Sequence, residues 1–212
     1  MTETRTASGN ATSARAPGNA VALIPVLWLA ACVAPTEPPS EPLSIPFDVS
    51  DHYSPDGFFG DGETRGYLDL ARGCPDRPPG AHGDCVTITY KPGPKRFAGI
   101  VWQHPHNNWG YWRGHDVAPG ATRILFSGRG SRGTESLTAS AGLKGMNERN
   151  DSFTLEPKQV ALGTTWQSFE APFFGANYQG KDGVLAAFSV SLTASDNDET
   201  TVLYLDDIRW VK

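Results

Sequence analysis

An all-β fold, a two-sheet antiparallel β-sandwich, is predicted by three features of the 212-residue chain. Short runs rich in β-branched and aromatic residues recur between clusters of Gly, Pro, Asn and Asp, the pattern of strands joined by tight turns. Glycine and proline are abundant, at 23 and 17 residues, high for a helical protein but below the level of an aperiodic disordered chain. No segment carries a sustained helical apolar period with caps, which disfavours a doubly wound α/β enzyme fold.

In chain order the predicted strands are 66–70 (GYLDL), 85–90 (CVTITY), 97–103 (FAGIVWQ), 122–127 (TRILFS), 136–141 (SLTASA), 159–162 (QVAL), 167–172 (QSFEAP), 184–192 (VLAAFSVSL) and 201–211 (TVLYLDDIRWV). Nine short strands suit two packed sheets. Residues 128–133 (GRGSRG) read as a hairpin turn with two basic residues, because strands stand on both sides and no helix N-terminus follows to receive an anion.

The chain carries 18 Lys plus Arg against 23 Asp plus Glu, a formal net charge of −5. With no basic stripe to neutralise phosphates, nucleic acid is excluded as a partner. No run of about 18 apolar residues exists, which rules out a spanning helix. The beginning of the chain nevertheless points to export. Arg5 and Arg15 stand in a polar lead, the apolar run Ala20 to Ala31 follows, and Cys32 comes next, which is the layout of a secretory signal. Leu29-Ala30-Ala31-Cys32 resembles the lipobox of bacterial lipoproteins, which implies that residues 1–31 are a signal peptide and that Cys32 carries a lipid anchoring the chain to the cell envelope, at the outer membrane or cell surface. An ordinary cleaved signal, with Cys32 a stray thiol, is the alternative. Residues 32–45 are rich in proline and read as a tether, leaving 46–212 as the folded domain.

Three cysteines in an exported chain leave one without a disulfide partner. With Cys32 set aside, Cys74 and Cys85 are free to pair across the loop CPDRPPGAHGDC, a closure worth about 2 to 3 kcal/mol. A metal site with His82 is the competing reading, but thiolate sites belong to reducing compartments and closer spacings.

Three later segments, GATRILFSGRGSRGTESLTASAG, TTWQSFEAPF and LAAFSVSLTASDNDETTVLYLDDIRWV, taken in that order, resemble the galactose-binding-like jelly rolls found among carbohydrate-binding modules. Residues 50–62 and 99–110 are similar to segments of secreted bacterial relatives of that group. The resemblance implies a jelly-roll sandwich that binds glycans. It also implies a structural calcium at the Asp206-Asp207 pair, with Asp48 as the opposite ligand; a salt bridge to Arg209 or another cation would serve the same carboxylates. One of the two aspartates must face the core or its rim, because successive side chains of a strand alternate, and a carboxylate there needs a partner.

The densest functional stretch is 102–115 (WQHPHNNWGYWRGH). Sugars are held by aromatic rings against their C–H faces while amides and charged groups reach the hydroxyls. Trp102, His104, His106, Asn107, Asn108, Trp109, Tyr111, Trp112 and Arg113 supply both kinds of group. Pro105, Asn107, Asn108 and Gly110 mark a loop, and a loop cannot bury all its aromatics without stranding backbone polar groups. Trp102 and Trp109 can equally belong to the core or its edge, whereas Tyr111 and Trp112 are the better candidates for ligand contact. His104, His106 and His115 invite a zinc site, but Pro105 interrupts the strand that would align them, and no H-E-x-x-H spacing exists.

The expected protein is therefore a non-catalytic, lipid-anchored carbohydrate-binding protein. A glycoside hydrolase would need a carboxylate pair in the same cleft; the acidic residues near 51–63 and 196–199 sit among turn formers, where Asp stabilises loops. A lipoprotein docking another envelope protein would show a broad flat apolar patch.

Overall fold

The computed structural model describes residues 41–61, 67–92, 97–144 and 147–212. Residues 1–31, expected to be a signal peptide, Cys32, the expected tether up to residue 40, Gly62 and Gly66 lie outside the described residues. In chain order the elements are β1 (Phe47–Asp48), α1 (Val49–His52), β2 (Ser54–Gly60), β3 (Leu68–Arg72), β4 (Val86–Tyr90), β5 (Phe97–Gln103), β6 (Arg123–Gly130), β7 (Ser136–Ser140), β8 (Lys158–Ala161), β9 (Gln167–Pro172), β10 (Ala186–Thr193) and β11 (Thr201–Val211). They form two antiparallel sheets. One runs β3-β4-β11-β6-β9, with β1 also paired to β11, and the other runs β2-β5-β10-β7-β8. The two-sheet all-β sandwich expected from the turn-and-strand pattern is the architecture found.

Three strands, 97–103, 167–172 and 201–211, have the expected bounds, and the other six shift by a few residues at their ends. β2 was not expected, because SPDGFFG reads as a turn. It survives as a strand because it lies at the edge of its sheet, pairing only with β5, and its register shifts between Pro55 and Gly57. Proline is tolerated at such a bulged edge, where its missing N–H breaks no ladder. The packed domain also starts earlier than residue 46. Leu43 bridges Val117, its N–H donates to Asp116 O at 2.8 Å, and Ile45 is in the core.

The hairpin expected at 128–133 is not one. β6 and β7 belong to different sheets, so this turn carries the chain across the sandwich. Glu135 organises it, its buried carboxylate accepting from Ser131 Oγ and from the N–H groups of Arg132, Gly133 and Thr134. Burial alone would raise its pKa, but these donors pull it below the ordinary value. Four donors on one carboxylate supply what a hairpin ladder would have supplied.

Inside, Trp210 of β11 is fully buried. Its ring lies 4.4 Å from Phe173, 5.2 Å from Tyr178, 5.4 Å from Phe47 and 5.9 Å from Phe153. Its indole N–H donates to Ala187 O at 2.9 Å, a hydrogen bond from one sheet to the other. Trp102, offered as a ligand contact by the sequence, is also in this core, 5.3 Å from Phe188. It follows the inward alternation of Ala98, Ile100 and Trp102 along β5, and this corrects its assignment to the site.

Cys74 and Cys85 form a disulfide with Cα atoms 5.8 Å apart. The loop it closes carries Arg77, whose guanidinium meets the fully buried Asp206 through both oxygens, at 2.7 and 2.6 Å. Hydrogen bonding to Asp206 raises the Arg77 pKa further. β11 shifts register between Asp206 and Arg209, and Asp207 there has φ 55°. Asp207 accepts from His82 N at 3.2 Å and from Arg209 Nη2 at 3.0 Å. Asp206 and Asp207 thus spend their oxygens on arginine and backbone donors, and among the described residues no three His, Cys, Asp or Glu side chains group to hold a metal. The cation that answers the buried Asp206 carboxylate is Arg77, while Asp48 Oδ1 is buried with no hydrogen-bond partner among the described residues.

Removing the guanidinium leaves a buried carboxylate without its fork of donors. Arg77→Ala is expected to lower unfolding stability by about 2 to 3 kcal/mol, the worth of hydrogen bonds to a charged group. A urea midpoint unchanged from wild type would show that Asp206 does not depend on Arg77.

Candidate functional site

The loop after β5 is made rigid from its own sequence. Asn107 has φ 52° and Gly110 φ 89°, two left-handed positions that asparagine and glycine adopt at least cost. Asn108 is fully buried at the loop's centre. Its side-chain amide donates to His104 O and Trp112 O at 2.8 and 2.9 Å, and its carbonyl accepts from the N–H groups of Gly110 and Trp112 at 3.2 and 3.0 Å. One side chain thereby supplies the hydrogen bonds that an irregular backbone would otherwise seek from water.

Both ends of the loop are fastened to the segment leading into β10. His104 N donates to Leu185 O, Gly114 N to Asp182 O, and His115 and Val184 exchange a reciprocal pair. A Cβ on Gly114 would fall 2.0 Å from Val184 O, so only glycine permits this approach. That segment is held in turn by Asp151, which accepts from the N–H groups of Leu143, Leu185 and Ala186. Burial pushes the Asp151 carboxyl up to about 7 against the pull of those donors. From the other side Asp56 of β2 accepts from Asn107 N at 3.0 Å and pairs with His106.

On this base the chain presents Tyr111 and Trp112 outward, 59% and 67% exposed. Next to them Arg113 is clamped by Asp116, with one contact at 2.8 Å, and donates to Lys181 O at 3.0 Å. His106 and Asn107 are exposed on the same loop. The structure therefore divides the residues singled out from the sequence. Tyr111, Trp112, Arg113, His106 and Asn107 are accessible. Asn108 is a structural pin and leaves the contact set, because all its polar groups are consumed internally. Trp109 is half-buried, its indole donating to Asn107 Oδ1 at 3.0 Å and its carbonyl accepting from Asn147.

His104 also faces inward. Its ring stacks on His115 at 3.5 Å between centroids, and His115 Nε2 lies 3.2 Å from His52 O. Burial lowers the pKa of both imidazoles, and the neighbouring His104 helps bring His115 to about 4. The pair is a neutral packed stack beneath the loop.

Other aromatic surface lies where the sequence reading had not looked. On the outer face of the six-stranded sheet the Arg129 guanidinium sits 4.2 Å from the Tyr204 ring and 5.3 Å from that of Trp166, with Asp76 as its ion-pair partner. Tyr204 was legible, since it alternates with the core residues Leu203 and Leu205. Phe174 is 87% exposed, and its place beside the buried Phe173 was the available signal.

Neither a family model nor a curated protein matches the chain. Solved structures do. A family 30 carbohydrate-binding module of the cellulosomal cellulase Cel9D-Cel44B of Clostridium thermocellum is similar with a TM-score of 0.51 and 13% identity, over 74% of this chain and 92% of that one. Another family 30 carbohydrate-binding module has a TM-score of 0.51 and 11% identity, over 78% and 97%. A family 11 module of the C. thermocellum cellulase Lic26A-Cel5E has a TM-score of 0.47 and 14% identity, over 78% and 92%. The chain has the jelly-roll β-sandwich fold of carbohydrate-binding modules.

The stacked histidines carry a pH signature. Between pH 6.5 and about 4 the unfolded chain protonates His115 while the folded chain does not, so this residue's contribution to stability falls as the pH falls through that window. Asp151, with its raised pKa, has the opposite slope, which makes a difference measurement necessary. Melting temperatures of wild type and His115→Gln, recorded from pH 7 to 4, are expected to converge toward acid; parallel curves would contradict the neutral stack.

Proposed function

We propose that this protein is a non-catalytic, envelope-anchored carbohydrate-binding module that seats a sugar on Tyr111 and Trp112. The observation that carries this reading is the pair of consecutive, largely exposed rings on a loop fixed by the buried Asn108. Exposing two large aromatics is unfavourable in water, and a rigid platform keeps low the entropy lost when a ligand binds. The flat rings match the C–H face of a pyranose, and the adjacent Arg113, Asp116, Asn107 and His106 offer donors and acceptors for ring hydroxyls. The jelly-roll fold shared with modules whose names declare carbohydrate binding supports the same reading.

Binding to a panel of soluble polysaccharides, measured by affinity electrophoresis, tests it. Trp112→Ala and Tyr111→Ala are each expected to weaken binding about tenfold, or 1.4 kcal/mol, with melting temperatures unchanged because neither ring is in the core. Full binding by both variants would move the site elsewhere.

The anchor is the second part of the proposal, and it rests on the apolar run ending in Leu29-Ala30-Ala31-Cys32. A lipid at Cys32 followed by a proline-rich spacer would hold the module away from the membrane, where extended polymers are accessible. Mass spectrometry of the envelope fraction is expected to show a diacylglycerol-sized addition at Cys32, lost in Cys32→Ser; an unmodified N-terminus elsewhere would reject the anchor.

A further inference from the structure

Each sheet ends in two edge strands, and β8 of one and β9 of the other, each hydrogen-bonded on one flank only, lie side by side. Between them lies an open cleft of about 530 Å³ lined by residues 156–159 together with Glu170, Pro172 and Phe174. Lys158 reaches across it, its ammonium donating to Glu170 O at 2.8 Å, so the two edges are tied together and the floor is set.

Phe174 is held outward by its neighbour. Phe173 is buried against Trp210, Phe153 and Tyr178, and Phe173 N donates to Thr122 O. The turn closes through Ala176 N to Phe173 O at 2.6 Å, with Gly175 at φ 69°. With Phe173 locked in the aromatic core, the next side chain is presented to solvent, 87% exposed.

We propose that this edge cleft is a second saccharide-binding subsite, which takes a neutral sugar chain against the Phe174 ring. The inference rests on the carbohydrate-binding reading and places a further contact outside the Tyr111–Trp112 loop. The cleft has the volume of a small-ligand site. It joins one exposed aromatic face to an amide, carboxylates and an ammonium, groups that accept from and donate to hydroxyls. A strand added by a protein partner is disfavoured, because Pro157 and Pro172 bracket the edges and remove backbone donors. A broad protein interface would bring a larger apolar area than one phenyl ring. Neutral sugars are favoured over uronates because Glu156 and Glu170 place carboxylates in the cleft, Lys158 is engaged by a backbone carbonyl, and Arg123 faces Glu170 at 3.5 Å.

The test compares wild type, Phe174→Ala, Gln159→Ala and Trp112→Ala, using the purified full chain, by isothermal titration against a soluble neutral β-glucan and against polygalacturonate. Phe174→Ala is expected to bind the neutral glucan about tenfold more weakly, Gln159→Ala several-fold more weakly, and both to melt as wild type does. If Trp112→Ala weakens binding while Phe174→Ala and Gln159→Ala bind as wild type, the edge subsite is refuted and the loop reading stands. If only the cleft variants weaken, the edge subsite is supported and the loop reading falls. Tighter binding of polygalacturonate than of the glucan overturns the neutral-sugar assignment, and no binding of either polymer by wild type overturns both proposals.

Discussion

The indole of Trp210 is the junction on which the sandwich depends. It lies on β11, the strand that pairs with β1, β4 and β6, and its N–H bonds to Ala187 on the opposite sheet. A polar group at the centre of an apolar core has one low-energy orientation, that in which its hydrogen bond is made. Hydrophobic burial alone would let the sheets slide relative to one another. The bond to Ala187 removes that freedom, while Phe47, Phe153, Phe173 and Tyr178 close around the ring.

From this junction the accessible aromatics follow by short chains of contact. Ala187 belongs to β10, and the residues just before that strand, Asp182 to Leu185, fasten both ends of the loop that bears Tyr111 and Trp112. Phe173 packs directly on Trp210 and so orients Phe174. Exposed rings are usually mobile, which makes binding cost conformational entropy. Here each exposed ring is adjacent in sequence to a position whose conformation is fixed by burial or by Asn108.

Much of the fold was legible because strands announce themselves through alternation. TVLYLDDIRWV gave its bounds directly, since inward Leu203, Leu205 and Trp210 are separated by polar or amphipathic residues. β2 was illegible, because SPDGFFG carries turn residues whose presence in a strand depends on being at an edge, and edge position is a tertiary fact. The crossing between β6 and β7 was missed for a similar reason. GRGSRG looks the same whether the following strand pairs with its predecessor or joins the other sheet, and the residue that decides, Glu135, acts only once buried.

The site divides along the same line. Aromatic richness at 102–115 marked the correct segment, but residue type does not say which ring is inward. Trp102 and Trp112 are chemically identical and differ only in that the first continues the β5 alternation and the second follows the Asn108 pin. Asn108 itself, an obvious sugar ligand by chemistry, is withdrawn by its four internal hydrogen bonds. Asp206 is a parallel case. A carboxylate pair in an apolar strand demands a cation, and sequence chemistry cannot distinguish a metal from an arginine supplied by a distant loop. Closing Cys74 to Cys85 brings Arg77 to the bulge of β11, 129 residues away in sequence. A guanidinium fork covers both oxygens of Asp206, so this buried carboxylate takes its counter-charge from its own chain.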